Sequence, residues 1–168
     1  MGLPNEHVVE QSWVNEVRNL HARIIEVSPK HPDIARALMQ FRLVSCNPAH
    51  TLYPLGLFAV LELLLTHDPH GNYDSLSHQI RTKIPLLERR FDCPIDYSVF
   101  TDSKKETVWK KLYEYRSAIA HGGALQFDRG LSVLKDAPVA RGFLEEATKA
   151  VLRHALKEPE LVLDLRSV

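Results

Sequence analysis

Residues 52–65 read Leu-Tyr-Pro-Leu-Gly-Leu-Phe-Ala-Val-Leu-Glu-Leu-Leu-Leu, the longest apolar run in the chain. A single carboxylate, Glu62, interrupts the run, which is too short to span a bilayer as a helix. A helix that is apolar nearly all round lies in the middle of a bundle of helices. The run therefore predicts a central buried helix that begins near Thr51, with Pro54 tolerated in its first turn.

Helical periodicity continues on both sides of this run. Ser28-Pro29 and Asn47-Pro48 end two helices in the N-terminal part, residues 1–48. The second of these helices begins near Asp33 and ends near Cys46. The apolar face that we expect the first helix to bury consists of Trp13, Val17, Leu20, Ile24 and Val27.

Three more helices are expected after the central one. A fourth helix covers about 75–90 and is kinked by Pro85, and a sixth covers about 136–157. The fifth helix, 103–121, is marked by a capping box of Ser103 and Glu106 and by a Gly122-Gly123 stop. Its predicted core stripe is Val108, Leu112, Tyr115 and Ile119.

The connections are less regular. A polar turn is expected over 67–72, a short hairpin around Asp128-Arg129-Gly130, and a strand is an alternative for Leu161 to Leu165. Six helices with short connections predict an all-α bundle in one domain over 1–168, with its core in 51–157.

Composition limits the classes of protein that fit. The 168 residues are 45% apolar and 25% charged, which excludes a disordered chain. The net charge is zero, which excludes a nucleic-acid binder that relies on bulk positive charge. Cys46 and Cys93 are interpreted as small core residues in a reducing compartment, because two cysteines are too few for a disulfide framework. The first ten residues have no apolar segment of signal-peptide type, so we expect a soluble, cytoplasmic protein.

The segment with the most chemical potential is the end of the fifth helix. Arg116 and His121 combine a planar fork of donors for a phosphate with a side chain that exchanges protons near neutrality. Ser117 lies four residues before His121, so the two share a helix face, and its hydroxyl could orient the imidazole or bind a phosphate oxygen.

The spacing of this pair poses a geometrical problem. Positions five apart on a straight helix point about 140° away from each other. Arg116 and His121 converge only if the last turn unwinds, if the arginine stem bends round, or if two copies of the helix form one cleft. The spacing alone is weak evidence, because composition gives roughly 0.6 chance occurrences. From spacing alone, an exposed arginine followed by a histidine that ends the helix is the preferred interpretation.

Glu62 adds weight to the pair. A buried carboxylate needs a partner or costs several kcal/mol, and Arg116 is the expected counter-ion. A purely structural ion pair, or a glutamate at a solvated helix edge, is the alternative interpretation.

The segment Leu112-Tyr-Glu-Tyr-Arg-Ser-Ala-Ile-Ala-His-Gly resembles the Arg-x(4–6)-His signature of the HEPN superfamily. Upstream, Phe58-Ala-Val-Leu-Glu-Leu-Leu-Leu resembles the acid-containing central helix of its ApeA-like branch. The likeness extends from about Tyr53 to the end of the chain. It implies a helical bundle that forms a homodimer through the motif helix, 103–121.

The resemblance also implies a function. Many members are metal-independent ribonucleases in toxin, antiviral or RNA-processing systems. By this likeness Arg116 holds the scissile phosphate, His121 is the general acid or base, Ser117 matches the polar position and Glu62 matches an assisting acid. The implied partners are RNA and an antitoxin or defence protein, with no cofactor and no metal. A non-catalytic module that binds nucleotide, RNA or a protein is the alternative.

Other residues have two interpretations each. Lys110, Lys111 and Tyr113 are candidate RNA-binding residues, although lysines on this helix also suit a solvated face. Trp109 and Tyr115 are expected to pack in the core. Further basic residues that could guide RNA or face solvent are Lys104, Lys105, Arg81, Lys83, Arg89 and Arg90. The possible metal ligands are His67, Asp68 and His70, for which a polar turn is the alternative.

Overall fold

The computed structural model describes residues 11–67, 75–101 and 103–167, and this part of the chain contains seven α-helices and no strand. The predicted all-α bundle is confirmed, with one helix more than expected. The helices are α1 Gln11–Val27, α2 Pro32–Ser45, α3 Tyr53–Leu65, α4 Leu76–Glu88, α5 Lys105–Ala120, α6 Ala137–Lys157 and α7 Pro159–Arg166. Two short 3-10 segments lie at Ser98–Phe100 and Ser132–Leu134. None of these helices is long and apolar enough to cross a membrane.

Helix α3 is the centre of the bundle, as its apolar run predicts. It contacts α2, α4, α5, α6 and α7, and eight of its residues are buried. Gly56 allows its closest approach to α2, because a Cβ at this position would lie 2.4 Å from a methyl carbon of Val44. Because valine is stiff in a helix, Val44 cannot turn its methyl groups away from a side chain at position 56. The two helices can therefore approach this closely only with glycine there.

Helix α1 corrects the prediction for the first helix. Trp13 and Val17 are 68% and 65% exposed, and Leu20 is also exposed, so only Ile24 and Val27 of the expected face reach the core. The C-terminal half of α1 is fixed at the end of α6, where the Arg23 guanidinium donates to the carbonyl oxygen of Leu156 at 2.9 Å.

The beginning of α5 also differs from the prediction. Its N-cap residue is Lys104, no side chain caps the helix, and Glu106 therefore occupies the second helical position instead of the third. The Ser103–Glu106 capping box is wrong for this reason, because the motif needs the acid at the third position. By contrast, Ser75 and Asp136 cap α4 and α6 by accepting hydrogen bonds from the backbone N–H of His78 and Val139.

The end of α5 follows the prediction. Gly122 has φ = +66°, which suits glycine, and the Gly123 N–H donates to the Ala118 carbonyl at 2.7 Å. The Gly122 N–H donates to the Ile119 carbonyl, so the two bonds together form a Schellman motif. His121 is thus the last residue before the chain reverses direction.

Within 103–167 neither the hairpin expected near residue 129 nor the strand considered for Leu161 to Leu165 forms. Residues 128–130 lie in turns that lead into the second 3-10 segment, and no hairpin forms. Leu161 to Leu165 belong to α7, which starts with Pro159 and buries Val162 against the core. A short apolar run fits both periodicities, and packing against α3 decides between them.

The two cysteines are exposed, which contradicts their interpretation as core residues. Cys46 directly follows α2 and Cys93 follows α4, so both lie in connections at the surface. Both are free thiols. Pro85 lies inside α4, which continues to Glu88.

Candidate active site

Helices α3 and α5 bring Glu62 and Arg116 together, as the sequence predicts. The Arg116 Nη2 atom lies 3.4 Å from the Glu62 Oε1 atom, and the two side chains are 29% and 18% exposed. Glu62 Oε1 and Arg116 Nε are both buried without a hydrogen-bond partner in the described part of the chain. The contact is an ion pair in which the Glu62 carboxylate can still accept a hydrogen bond and the Arg116 guanidinium can still donate one.

Tyr113 and Phe58 support the arginine. The guanidinium carbon of Arg116 lies 5.5 Å from the centre of the Tyr113 ring, within the range of a cation–π interaction. The edge of one of the Tyr113 and Phe58 rings meets the face of the other, with the ring centres 5.7 Å apart. Tyr113 therefore positions Arg116, and its predicted role in stacking on RNA bases stays a prediction.

Burial shifts the protonation of the Glu62 carboxyl. Loss of solvent raises the pKa of Glu62, and the nearby Arg116 charge opposes this rise without cancelling it. Burial and the Glu62 charge also raise the pKa of Tyr113. A carboxyl group that protonates more readily than usual, beside a cation, is typical of a functional site and also of a structural ion pair.

The raised pKa of Glu62 predicts a pH-dependent stability. The folded chain holds this proton more tightly than the unfolded chain, so ionising Glu62 costs stability as the pH rises above its ordinary pKa of 4.5. Glutamine stays neutral. We expect the free energy of unfolding of Glu62→Gln, relative to the unsubstituted chain, to increase between about pH 4 and about pH 7. Urea unfolding at both pH values measures this difference.

The matched control is Glu114→Gln, which changes an exposed glutamate on α5 that pairs with Lys111. Its stability difference should not increase over the same pH interval. A Glu62→Gln difference that decreases with rising pH would mean that the ion pair with Arg116 outweighs burial.

His121 lies at the end of α5 and is exposed. Its side chain makes no hydrogen bond or ion pair with any residue of the described ranges, while its backbone N–H donates to the Ser117 carbonyl at 3.1 Å. An imidazole in this position is open to solvent and to a ligand.

The geometry of α5 keeps Arg116 and His121 apart within one chain. The helix is regular through Ala120, so the expected unwinding of its last turn does not occur before His121. The Arg116 side chain reaches towards Glu62 on α3 instead of bending towards His121. Of the three routes to convergence, a cleft between two copies of the chain is the one that this geometry leaves open.

Ser117 and the lysines of α5 occupy different environments. Ser117 is half-buried, and its hydroxyl makes no hydrogen bond within the described part of the chain. Lys110 is exposed and makes no ion pair with a described residue, whereas Lys111 is engaged by Glu114 at 2.6 Å. Of the two lysines predicted to bind RNA, Lys110 is the more available.

The remaining basic residues divide in the same way. Lys83 is 5% exposed and donates to the Arg166 carbonyl at 3.1 Å, so its role as a surface guide for RNA is excluded. Lys105 pairs with Glu88, and Arg90 pairs with Glu158. Lys104 and Arg89 are exposed, whereas Arg81 is half-buried and its Nη2 atom lies 3.5 Å from the His78 Nδ1 atom.

Sequence reasoning missed a polar cavity on the other side of Glu62. Its volume is about 540 Å³. Arg166 of α7 contributes to it and pairs with Asp33 of α2 at 2.8 Å. The sequence signal for this cavity was Arg166, a polar residue that follows the apolar stretch Leu161 to Leu165. That stretch gives no sign that it folds back onto α3. The polar residues that line the cavity are Asp33, Arg36, Glu62, Thr66, His67 and Arg166.

The predicted metal ligands are only partly covered. Asp68 and His70 lie outside the described residues, and so does the rest of the expected turn beyond His67. The His67 Nδ1 atom lies 2.8 Å from the Arg166 carbonyl oxygen, which makes it the donor of that hydrogen bond. Within 11–67, 75–101 and 103–167 no three histidine, cysteine or acidic side chains group as metal ligands.

The chain was compared with protein-family models, with curated proteins and with solved structures, and none of them matches it. The likeness to the HEPN superfamily therefore stays a resemblance. The class of protein that fold and site define is an all-α bundle whose fifth helix carries an arginine paired with a glutamate and ends at an exposed histidine.

Proposed function

We propose that this protein is an endoribonuclease of HEPN type, whose active site forms between the α5 helices of two copies. RNA is the substrate. Arg116 binds the scissile phosphate, and His121 transfers protons. The ribose 2′-hydroxyl gives up its proton as its oxygen attacks the adjacent phosphorus, the bond from phosphorus to the 5′-oxygen breaks, and the leaving oxygen takes up one proton, so that no proton is gained or lost overall. The products are a 2′,3′-cyclic phosphate and a 5′-hydroxyl.

The observation that carries this proposal is the state of the Arg116 guanidinium. It is partly exposed, and the one ion pair that it makes within the described ranges is a long 3.4 Å contact with Glu62. A guanidinium with donors left over can grip a phosphate oxygen at two points.

The directions of the side chains support a two-copy site. Positions five apart on a regular helix point about 140° away from each other, and a two-fold axis would bring Arg116 of one copy to face His121 of the other. His121 is exposed and without a partner in the described ranges, as a group that completes its site on dimerisation would be.

The proposed activity is tested by incubating the purified protein with total RNA in excess EDTA. We expect cleavage that persists in EDTA and leaves 2′,3′-cyclic phosphate and 5′-hydroxyl ends, which end-specific labelling identifies. Products that carry 5′-phosphates would contradict the mechanism, because those ends require water or hydroxide as the nucleophile.

The second candidate is a binding module without catalysis, which recognises nucleotide, RNA or a protein such as an antitoxin. The packing of Arg116 between Glu62 and the Tyr113 ring favours it, because a purely structural arginine makes the same contacts. The zero net charge agrees with a partner other than bulk RNA. A protein that binds RNA in the same assay and leaves every RNA intact would support this function.

A further inference from the structure

A second cavity lies on the face of α5 that Arg116 does not occupy. Its volume is about 350 Å³, within the range of small-molecule sites. Leu52, Ile119 and Leu125 supply apolar walls, and the two leucines are 50% and 42% exposed at its opening. The turn after His121 forms one side of the cavity through Gly122 and Gly123.

Three polar side chains line this mainly apolar space. They belong to Arg141, on α6, to Tyr115, on α5, and to Thr51, which precedes α3. Arg141 makes no hydrogen bond or ion pair with any described residue, and the Tyr115 hydroxyl makes no hydrogen bond there. The Arg141 charge acts on Tyr115, since it lowers the pKa of a phenol that burial raises. Because Arg141 and Tyr115 line the same cavity, one ligand bound there can contact both side chains.

The acidic groups on the neighbouring parts of α6 are engaged elsewhere. Asp136 caps the helix by accepting from the Val139 N–H, and Glu145 lies 2.7 Å from the Lys149 ammonium. Arg141 is thus a cation in a mainly apolar cavity whose nearest carboxylates along the helix already have partners. A half-buried guanidinium gains most from a ligand oxyanion, because it offers several donors at fixed angles.

The geometry points to a binding site for an aromatic oxyanion: a small molecule with a flat apolar body against Leu52, Ile119 and Leu125, and a phosphate or carboxylate held by Arg141 and the Tyr115 hydroxyl. Free mononucleotides and aromatic carboxylic acids share this chemistry. The site differs from the proposed phosphate site at Arg116, and it does not depend on ribonuclease activity.

Isothermal titration calorimetry tests the proposal on the full chain with four probes: 1-naphthyl phosphate, 1-naphthoate, adenosine monophosphate and, as an uncharged control, 1-naphthol. We expect saturable binding of 1-naphthyl phosphate and at least about tenfold weaker binding of 1-naphthol, because a hydrogen bond to a charged group is lost. Tighter binding of adenosine monophosphate than of 1-naphthoate would identify a mononucleotide, and the reverse order an aromatic acid.

Variants assign the binding to this cavity. Arg141→Gln should weaken binding by about tenfold or more, and Tyr115→Phe by about threefold to tenfold. Leu52→Glu places a negative charge at the exposed opening and should weaken binding without disturbing the core. Arg153→Gln, on an exposed arginine of the same helix, is the matched control and should leave the affinity unchanged. No binding of any charged probe, or equal affinity in Arg141→Gln, would overturn the proposal.

Discussion

His121→Ala is expected to lower the rate of RNA cleavage by about 10²- to 10⁴-fold, the usual contribution of a general acid or base. The imidazole is exposed at the end of α5 and makes no side-chain contact that the fold requires within the described ranges. The substitution should therefore leave the helical signal and the thermal midpoint unchanged. Initial rates on a labelled RNA in EDTA, with unfolding curves of the same preparation, measure both quantities.

The matched control for this prediction is His21→Ala, which removes an exposed histidine from α1. It should cleave at the rate of the unsubstituted protein. Equal rates for His121→Ala and the unsubstituted protein would remove His121 from the mechanism, and would leave the arginine–glutamate pair with a structural role.

Trp109→Ala is expected to cost about 3–5 kcal/mol of folding free energy, the range for an aromatic residue removed from a core. Trp109 is fully buried, and its indole N–H donates to the Tyr97 hydroxyl at 2.8 Å. Its ring packs on Phe143, with the ring centres 5.9 Å apart. The substitution leaves a cavity and an unpaired hydroxyl between α5, α6 and the first 3-10 segment. Urea unfolding monitored by circular dichroism measures the loss.

Trp13→Ala makes the same chemical change at a residue that is 68% exposed. It should change the free energy of unfolding by less than about 0.5 kcal/mol, as is usual for surface positions. A loss of similar size in both variants would mean that the first two turns of α1 are covered in solution.

The central helix could be predicted from the sequence, because a helix whose side chains are apolar nearly all round is stable only when other helices cover most of its surface. The face of α1 could not. The stripe from Trp13 to Val27 has the period of a buried helix face, but periodicity does not say which part of the stripe the other helices cover. Only Ile24 and Val27 lie beside the core, so the same pattern is half exposed and half buried.

One part of the candidate site, the pair of Glu62 and Arg116, could be predicted because a buried carboxylate requires a cation as its partner. A carboxylate in the apolar run of α3 needs a cation, and Arg116 is the residue that pairs with Glu62. Arg141 gave no such signal, since one arginine near the start of a helix resembles any surface cation until α5, α6 and the turn before α3 form a cavity around it. The contribution of Arg166 to the polar cavity beside Glu62 likewise depends on α7 folding back onto α3. The sequence did not decide whether this segment is a helix or a strand.

The central claim is that Arg116 of one copy and His121 of another act at one phosphate, and mixing two inactive variants tests it most directly. Arg116→Gln and His121→Ala are each expected to be inactive. After they are unfolded and refolded together, half of the dimers carry one intact site of two, so we expect about a quarter of the original cleavage rate. A mixture as inactive as either variant alone, with mixed dimers demonstrated by mass, would contradict a site shared between copies.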